Sequence, residues 1–231
     1  MGSKCHVVET AVRGKVNFIT NMIYQQANGH DGNVHDQVTE GNERLGLKPA
    51  KVFVDSNYLS GQLIKEYQDR GQQLMGYMQG YAGREKAFQT EAFQIDIEHG
   101  TAVCPAGHQN CGSAVDRSGV LRLYFDRGSC ERCHYYHRCV RPQKTTARRR
   151  SVSIRPFYQY MRQRRLEQET DGFRDQMRVR AQVEGTISEA TRLHGLRHAR
   201  YRGKAGHQLQ FYLTGAAINF RRLAKVLSTP Q

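Results

Sequence analysis

Two carboxylates and a group of cysteines are the residues of this 231-residue chain best placed to do chemistry. Asp55 closes the short apolar run 51–54 (KVFV) and opens the string DSNYLSG. A carboxylate at the C-terminal end of a buried strand is held rigidly yet faces a cleft. Such a group suits Mg2+, a hard ion that prefers oxygen. The same residue could also start a turn, or cap the helix that follows, through its DSN sequence. Glu184 lies in the string RAQVEGTISEATR. Phe173, Met177, Arg180, Glu184 and Ile187 follow one another at intervals of four and three, which puts all five on one helix face. The apolar members direct that face to the core. Arg180 and Glu184 therefore need a partner there, either each other across one helical turn or a metal ion.

The six cysteines are Cys5, Cys104, Cys111, Cys130, Cys133 and Cys139. Cys130 and Cys133 are close enough in sequence to grip one ion, and two further thiolates complete a tetrahedron. The spacing points to Cys104, Cys130, Cys133 and Cys139 around a structural zinc, with His108, His134 and His137 as spare ligands. Ordinary buried thiols are one alternative. A redox Cys-x-x-Cys is another, but that motif usually opens a helix after a strand. Here Arg132, His134, Tyr135 and Tyr136 flank the pair as in a metal knuckle. Cys5 and Cys111 read as ordinary thiols.

The elements that must carry these groups follow from patterning. Residues 4–11 (KCHVVETA) and 16–24 (VNFITNMIY) read as strands joined through Gly14 into a hairpin. Asp36 can cap a short helix to about Leu45. Residues 60–70 have helical spacing, with Leu63, Ile64 and Tyr67 on one face. Residues 73–78 read as a further strand. Residues 80–150 hold five of the six cysteines and short β-like pieces at 93–97 and 120–125. Residues 157–194 read as helical, and 208–227 place Leu209, Leu213, Ala216, Ala217 and Phe220 at helical spacing. The predicted order is an α/β core (1–79), a Cys-rich inserted module (80–150) and a helical closing part that carries Glu184 (151–231).

Charge separates the two halves. Residues 1–100 hold 10 Lys and Arg against 12 Asp and Glu, whereas residues 101–231 hold 25 against 9. The whole excess of +14 therefore sits in the second half, and a polyanion, nucleic acid above all, is the matching partner. The bases are 26 Arg and 9 Lys. Arg matches phosphate and guanine bidentately, although an Arg-rich codon bias would give the same ratio. No apolar run reaches the roughly 18 residues of a membrane span. The first ten residues lack the apolar stretch of a signal peptide. A cytoplasmic, nucleoid-associated protein is the expectation.

Taken together these strings resemble the DDE transposases of bacterial insertion sequences. The resemblance runs over KCHVVETA with NFIT, LKPAKVFVDSNYLSG, CPAGH with CERCHYYHRC, VEGTISEATRLHGLRHARYRG and the terminal LTGAAINFRR. It implies an RNase H-like core in which three carboxylates bind two divalent metals. Asp55 corresponds to the second Asp, after a core strand, and Glu184 to the Glu on a helix after an insertion. The family's Tyr, Arg, Glu, Lys signature is matched at Arg180 and Glu184. Met177 stands where Tyr is expected, and Thr191, beside Arg192, where Lys is expected. The family's first Asp lies on a strand upstream of KCHVVETA and has no counterpart here, so the chain looks N-terminally truncated, with its central strand missing. Asp31 and Asp36 follow the second strand and are not its equivalents.

The resemblance implies cleavage of element ends and their joining to target double-stranded DNA by two-metal phosphoryl transfer. It implies Mg2+ at Asp55 and Glu184, no membrane partner, and a homodimer on paired ends. This fragment is expected to be inactive. Arg148, Arg149, Arg150, Arg180, Arg192, Arg197 and Arg200 are the candidates for phosphate contacts, which carry affinity rather than sequence information. The competing classes are a non-catalytic zinc-containing DNA-binding protein and a thiol oxidoreductase using Cys130 and Cys133.

Overall fold

The computed structural model of the chain describes residues 2–79, 88–140 and 149–228. In chain order the elements are β1 (Ser3–Glu9), β2 (Ile19–Gln26), α1 (His35–Arg44), β3 (Lys51–Phe53), α2 (Gly61–Asp69) and β4 (Gln73–Met75). Next come β5 (Gln94–Asp96), β6 (Thr101–Val103), β7 (Gly112–Val115), β8 (Leu121–Tyr124), α3 (Arg127–Glu131), α4 (Tyr136–Cys139) and β9 (Ser151–Ile154). The chain then turns helical: α5 (Tyr158–Glu167), α6 (Asp171–Met177), α7 (Ala181–Arg192) and α8 (Gly203–Ser228). This is a mixed α/β protein with small sheets. Among the described residues no helix is long and apolar enough to cross a membrane.

The chain divides into two compact units, one of residues 1–77 and 166–231, the other of residues 78–165. The first holds two separate two-stranded sheets. β1 pairs antiparallel with β2, Cys5 opposite Tyr24. β3 pairs parallel with β4, Val52 opposite Leu74. Helix α2 makes the crossover between the parallel strands. Ser60 caps its start by accepting from the Leu63 N–H at 3.2 Å. Gly71, at φ +71°, ends it, with N–H bonds from Gly71 to the Gln68 carbonyl and from Gln72 to the Tyr67 carbonyl. That double closure needs a left-handed residue, which glycine adopts without steric cost.

Helix α8 packs its buried face (Phe211, Thr214, Gly215, Ile218) against β2, where Ile19 and Met22 join the core with Ala190 of α7. A Cβ on Gly215 would stand 2.8 Å from Met22 Sδ, so any other residue there would have to push the buried Met22 side chain aside. Two amides of α8 then bind the backbone of β2. Asn219 accepts from the Ile19 N–H and donates to the Ile19 carbonyl, both at 2.8 Å. Gln208 accepts from the Tyr24 N–H at 3.0 Å and donates to the Met22 carbonyl at 2.6 Å. Backbone groups that an unpaired sheet edge would expose are thereby satisfied.

The second unit centres on the antiparallel sheet β7-β8-β9 and the hairpin β5-β6. Its core is Phe93, Ala102, Leu123, Phe125, Val152, Ile154 and Tyr158, and Cys104, Cys130 and Cys139 pack against it.

Candidate functional site

Asp55 follows β3, where the parallel pair with β4 ends. Its carboxylate accepts from the Ser56 N–H at 2.7 Å and caps a short 3-10 turn at 56–58. The cap fixes one oxygen and leaves the side chain half exposed. Glu184 lies in the first turn of α7 and is more exposed, at 62% of its side chain. Between them stands Arg180. Its Nη2 is 3.5 Å from Asp55 Oδ1 and 3.3 Å from Glu184 Oε1. Two carboxylates that are remote in sequence thus meet on one cation. Arg180 is placed for this by packing beneath it: Phe173 and Met177 of α6 are buried with Met75 and Phe53, and a 3-10 turn (Arg178–Arg180) joins α6 to α7.

The helical face expected from the four-three spacing is broken at that turn. Phe173 and Met177 are buried, Ile187 is exposed, and the buried positions of α7 are Thr186 and Ala190. Thr186 anchors a buried polar network that the sequence reading missed. Glu9, at the end of β1 with only 5% of its side chain exposed, accepts from Thr186 Oγ1 at 2.6 Å and from Arg222 at 3.1 Å. Arg222 also donates to the Asn17 carbonyl at 2.7 Å and to Thr186 Oγ1 at 2.5 Å, and pairs with Glu189 at 3.7 Å. The network ties β1, α7 and α8 together two residues from Glu184. The one local clue was an acidic residue closing the strand directly after Val7 and Val8.

The segment bearing Asp55 rests on a second buried network. His35 accepts at Nδ1 from the Tyr67 hydroxyl and donates from Nε2 to the Tyr58 carbonyl, both at 2.9 Å. His6 accepts at Nδ1 from the Tyr58 hydroxyl at 2.5 Å and donates from Nε2 to Gln25 at 3.2 Å. These directions follow from the carbonyl and amide oxygens, which can only accept. Burial lowers the pKa of both histidines, against smaller opposing contributions from the hydrogen bonds to Gln25 and Tyr58. Burial pushes the Tyr58 phenol up to about 12, with nearby Asp31 and Asp55 adding to it.

In the second unit Cys104, Cys130, Cys133 and Cys139 line one cavity of about 130 Å3, with His108, Tyr135 and Arg150 on its wall. The His108 N–H donates to Cys104 Sγ and the Tyr135 N–H to Cys133 Sγ, each at 3.4 Å. Such bonds stabilise a thiolate. Burial raises the Cys130 thiol and pushes Cys139 up to about 11; neighbouring thiols add to both, and Arg150 opposes. Cys111 is exposed and Cys5 lies in the other unit. The donor types fit zinc. Among the described residues, however, no three His, Cys, Asp or Glu side chains converge as they stand into a metal-holding group, either here or around Asp55 and Glu184.

The arginine candidates divide by what they touch. Arg148 lies outside the described residues. Arg149 is exposed, its guanidinium 5.1 Å from the Tyr124 ring centroid. Arg150 donates to the Cys139 and Phe88 carbonyls at 3.1 and 3.0 Å, which holds its guanidinium inside the Cys-rich unit. Arg180 is engaged by the two carboxylates. Arg192 and Arg197 are exposed, and Arg200 is exposed with a contact of 3.5 Å to the His194 carbonyl.

Comparison with known proteins gives one finding. Residues 103–224, more than half of the chain, match the family model of the transposase DDE domain. No curated protein matches, and no solved structure matches.

Proposed function

The chain belongs to the transposase DDE domain family, and on that premise we propose that it is the DNA-handling part of an insertion-sequence transposase. In this reading Asp55 and Glu184 are two of the three carboxylates of the phosphoryl-transfer site. The observation that carries it is their meeting at Arg180 Nη2, since a helix-borne Glu and a strand-end Asp share a cation only if the fold brings them to one place.

The fold class follows the same reading: an RNase H-like core that lacks its first strand. The support is the split of the first unit into an antiparallel and a parallel pair, which a strand between β1 and β3 would join into one sheet. Near that gap His6 of β1 bonds Tyr58, three residues past Asp55.

Asp55 and Glu184 would hold Mg2+, whose chemistry there would be to polarise the scissile phosphate and activate water or a DNA 3′-OH for in-line attack. The chain's own groups do the positioning. The Ser56 N–H fixes the Asp55 carboxylate. The Glu9 network fixes the helix that carries Glu184. Arg180 lies between the two carboxylates and neutralises both. Arg149, Arg192, Arg197 and Arg200, with Arg148, are the proposed phosphate contacts, and Arg150 acts as a brace within the Cys-rich unit. That unit is proposed as a zinc-ribbon-like module held by Cys104, Cys130, Cys133 and Cys139. The place of work is the cytoplasm, at the nucleoid, on double-stranded DNA and as a pair of chains on paired ends. With two of three carboxylates present, residues 1–231 by themselves are expected to bind DNA without cutting it.

The test is a gel-shift and nicking assay of the chain with labelled duplex DNA and Mg2+ across a salt series. Salt-sensitive binding without nicking is the expected result. No binding at low salt, or nicking that persists in Glu184→Gln, would refute the assignment.

A further inference from the structure

Helix α8 presents a second face that the described residues leave uncovered. Phe211, Thr214, Gly215 and Ile218 are buried on β2, while Leu209, Leu213, Ala216, Phe220, Leu223 and Leu227 are exposed. Leu213 is 54% exposed and Phe220 72%. The six follow one another at intervals of four, three, four, three and four. That is a heptad seam sustained for five turns, a period that one straight helix has no internal use for. Single exposed apolar residues need no explanation, but a continuous stripe of them does.

We infer that this stripe is a self-association seam, occupied by α8 of a second copy of the chain in antiparallel orientation. Three observations select that occupant. First, periodicity: a 3.5-residue repeat fits another helix carrying the same repeat. Second, charge: the residues beside the seam are Gln210, Ala217 and Ala224 on one side and Tyr212, Asn219 and Val226 on the other, so no charge faces the seam in a chain of net charge +14. Of the basic residues of this stretch, Arg221 pairs with Glu189 and Arg222 with Glu9, and Lys225 falls at neither a seam nor a flanking position of the repeat. Third, area: with Tyr212 and Val226 the stripe exposes on the order of 700 Å2 of side chain per copy, so a pair buries about 1,400 Å2, within the range of specific interfaces.

Orientation follows from size. A parallel, in-register pair sets Phe220 against Phe220 and Ala216 against Ala216, which leaves one layer overfilled and the next empty. An antiparallel pair centred at the level of Ile218 sets Ala216 against Phe220, Leu213 against Leu223 and Leu209 against Leu227. Each layer then has similar volume, as close packing requires. The two-fold axis makes the contact isologous and closed, so it stops at a dimer. The inference rests on the proposed pairing of chains and gives it a surface apart from Asp55 and Glu184, so its failure would leave the assignment of those two carboxylates and the DNA binding untouched.

The experiment is sedimentation equilibrium of the whole chain at micromolar concentration. The expected mass is twice 26.5 kDa. Leu213→Glu and Leu223→Lys, both at exposed positions, should each weaken the dimer by roughly a hundredfold or more, because a charge is buried opposite leucine, with unchanged far-UV circular dichroism. Mixing the two variants should restore a dimer, since the introduced glutamate then meets the introduced lysine in one layer, while the remaining Leu223 and Leu213 meet in the other. A monomeric wild type, or a dimer indifferent to both variants, would overturn the seam. Restoration by Leu213→Glu with Leu213→Lys, in place of the first mixture, would overturn the antiparallel arrangement.

Discussion

Asp55 Oδ1 and Glu184 Oε1 lie within 3.5 Å of the same guanidinium nitrogen, Nη2 of Arg180. The arrangement has opposite consequences for stability and for ion binding. Both carboxylates are half exposed or more, so the ion pairs are screened by water and add little to folding. A fixed positive charge beside two carboxylates, however, directly opposes the entry of a divalent cation. At contact distance in water each unit charge pair is worth about 1 kcal/mol, hence about 2 kcal/mol against a doubly charged ion. Arg180→Gln should therefore tighten Mn2+ binding by roughly thirtyfold and shift the unfolding free energy by less than about 1 kcal/mol. Calorimetric titration with Mn2+ and urea denaturation read the two effects. Weaker Mn2+ binding in the variant would show that Arg180 organises the carboxylates and does not compete for them.

The Glu9–Arg222 pair should behave in the reverse manner. Both side chains are largely buried, and the pair also engages Thr186 and the Asn17 carbonyl. Arg222→Ala leaves a buried carboxylate without its cation and should cost about 3 kcal/mol or more. Replacing both, as Glu9→Gln with Arg222→Met, should recover much of that loss, because burying a charge pair is itself costly. Urea denaturation of the two variants tests this. A double variant no better than the single one would show that the network stabilises through its hydrogen bonds rather than by pairing charges.

What could be read in advance depends on how locally each feature is encoded. The hairpin of β1 and β2, the short strand before Asp55, helix α2 and helix α8 follow from alternation and 3.6-residue spacing, and the structure has them within a few residues. The face carrying Arg180 and Glu184 was only half legible. Its phase slips at the 3-10 turn 178–180, and beyond it α7 buries Thr186 and Ala190. A hydroxyl and a methyl group are invisible to a hydrophobic pattern. β7 escaped because all four of its residues are exposed and show no alternation. Arg180 was legible as a partner for Glu184 at i,i+4. Its bond to Asp55, like that of Arg222 to Glu9, joins segments far apart in sequence and exists only in the fold. The stripe at Leu209, Leu213, Ala216 and Phe220 was legible as helical, but periodicity alone does not say which of two apolar faces meets the sheet.

The two buried histidines give the first unit an acid-sensitive arm. Burial lowers the folded pKa of His6 and His35 below the ordinary value of 6.5. In the unfolded chain both take up a proton as the pH falls through that value, while the folded chain resists. The unfolded state then binds more protons, so stability rises with pH in this window. It should be complete above about pH 7.5 and decline below about 6.5, by at most roughly 1.4 kcal/mol per pH unit for each histidine. Urea denaturation at pH 7.5 and 5.5, compared between the wild type and His35→Gln, separates this from carboxylate titration. The variant should be less stable at the higher pH and lose less on acidification. An equal loss in both would place the acid sensitivity elsewhere.

The Cys-rich unit offers the sharpest contrast, between two cysteines of the same unit. Cys133 lines the shared cavity and its sulfur accepts the Tyr135 N–H, whereas Cys111 is exposed and outside that lining. The burial that raises Cys130 and Cys139 makes a metal-free thiolate cluster costly and favours neutral thiols. Bound zinc reverses that preference by deprotonating its ligands, so binding releases protons and its free energy becomes folding free energy. Among the described residues the main apolar cluster of this unit holds seven buried side chains, and the ion would therefore carry a large share of its stability. The protein should contain one zinc per chain. Cys133→Ser should lose it and Cys111→Ser should keep it, as elemental analysis would show. A chelator should abolish the cooperative unfolding of residues 78–165 at neutral pH and do so more readily at lower pH, where protons compete for the thiolates. Zinc-free wild type that unfolds cooperatively would mean that Phe93, Leu123, Phe125 and their neighbours hold the unit together without an ion.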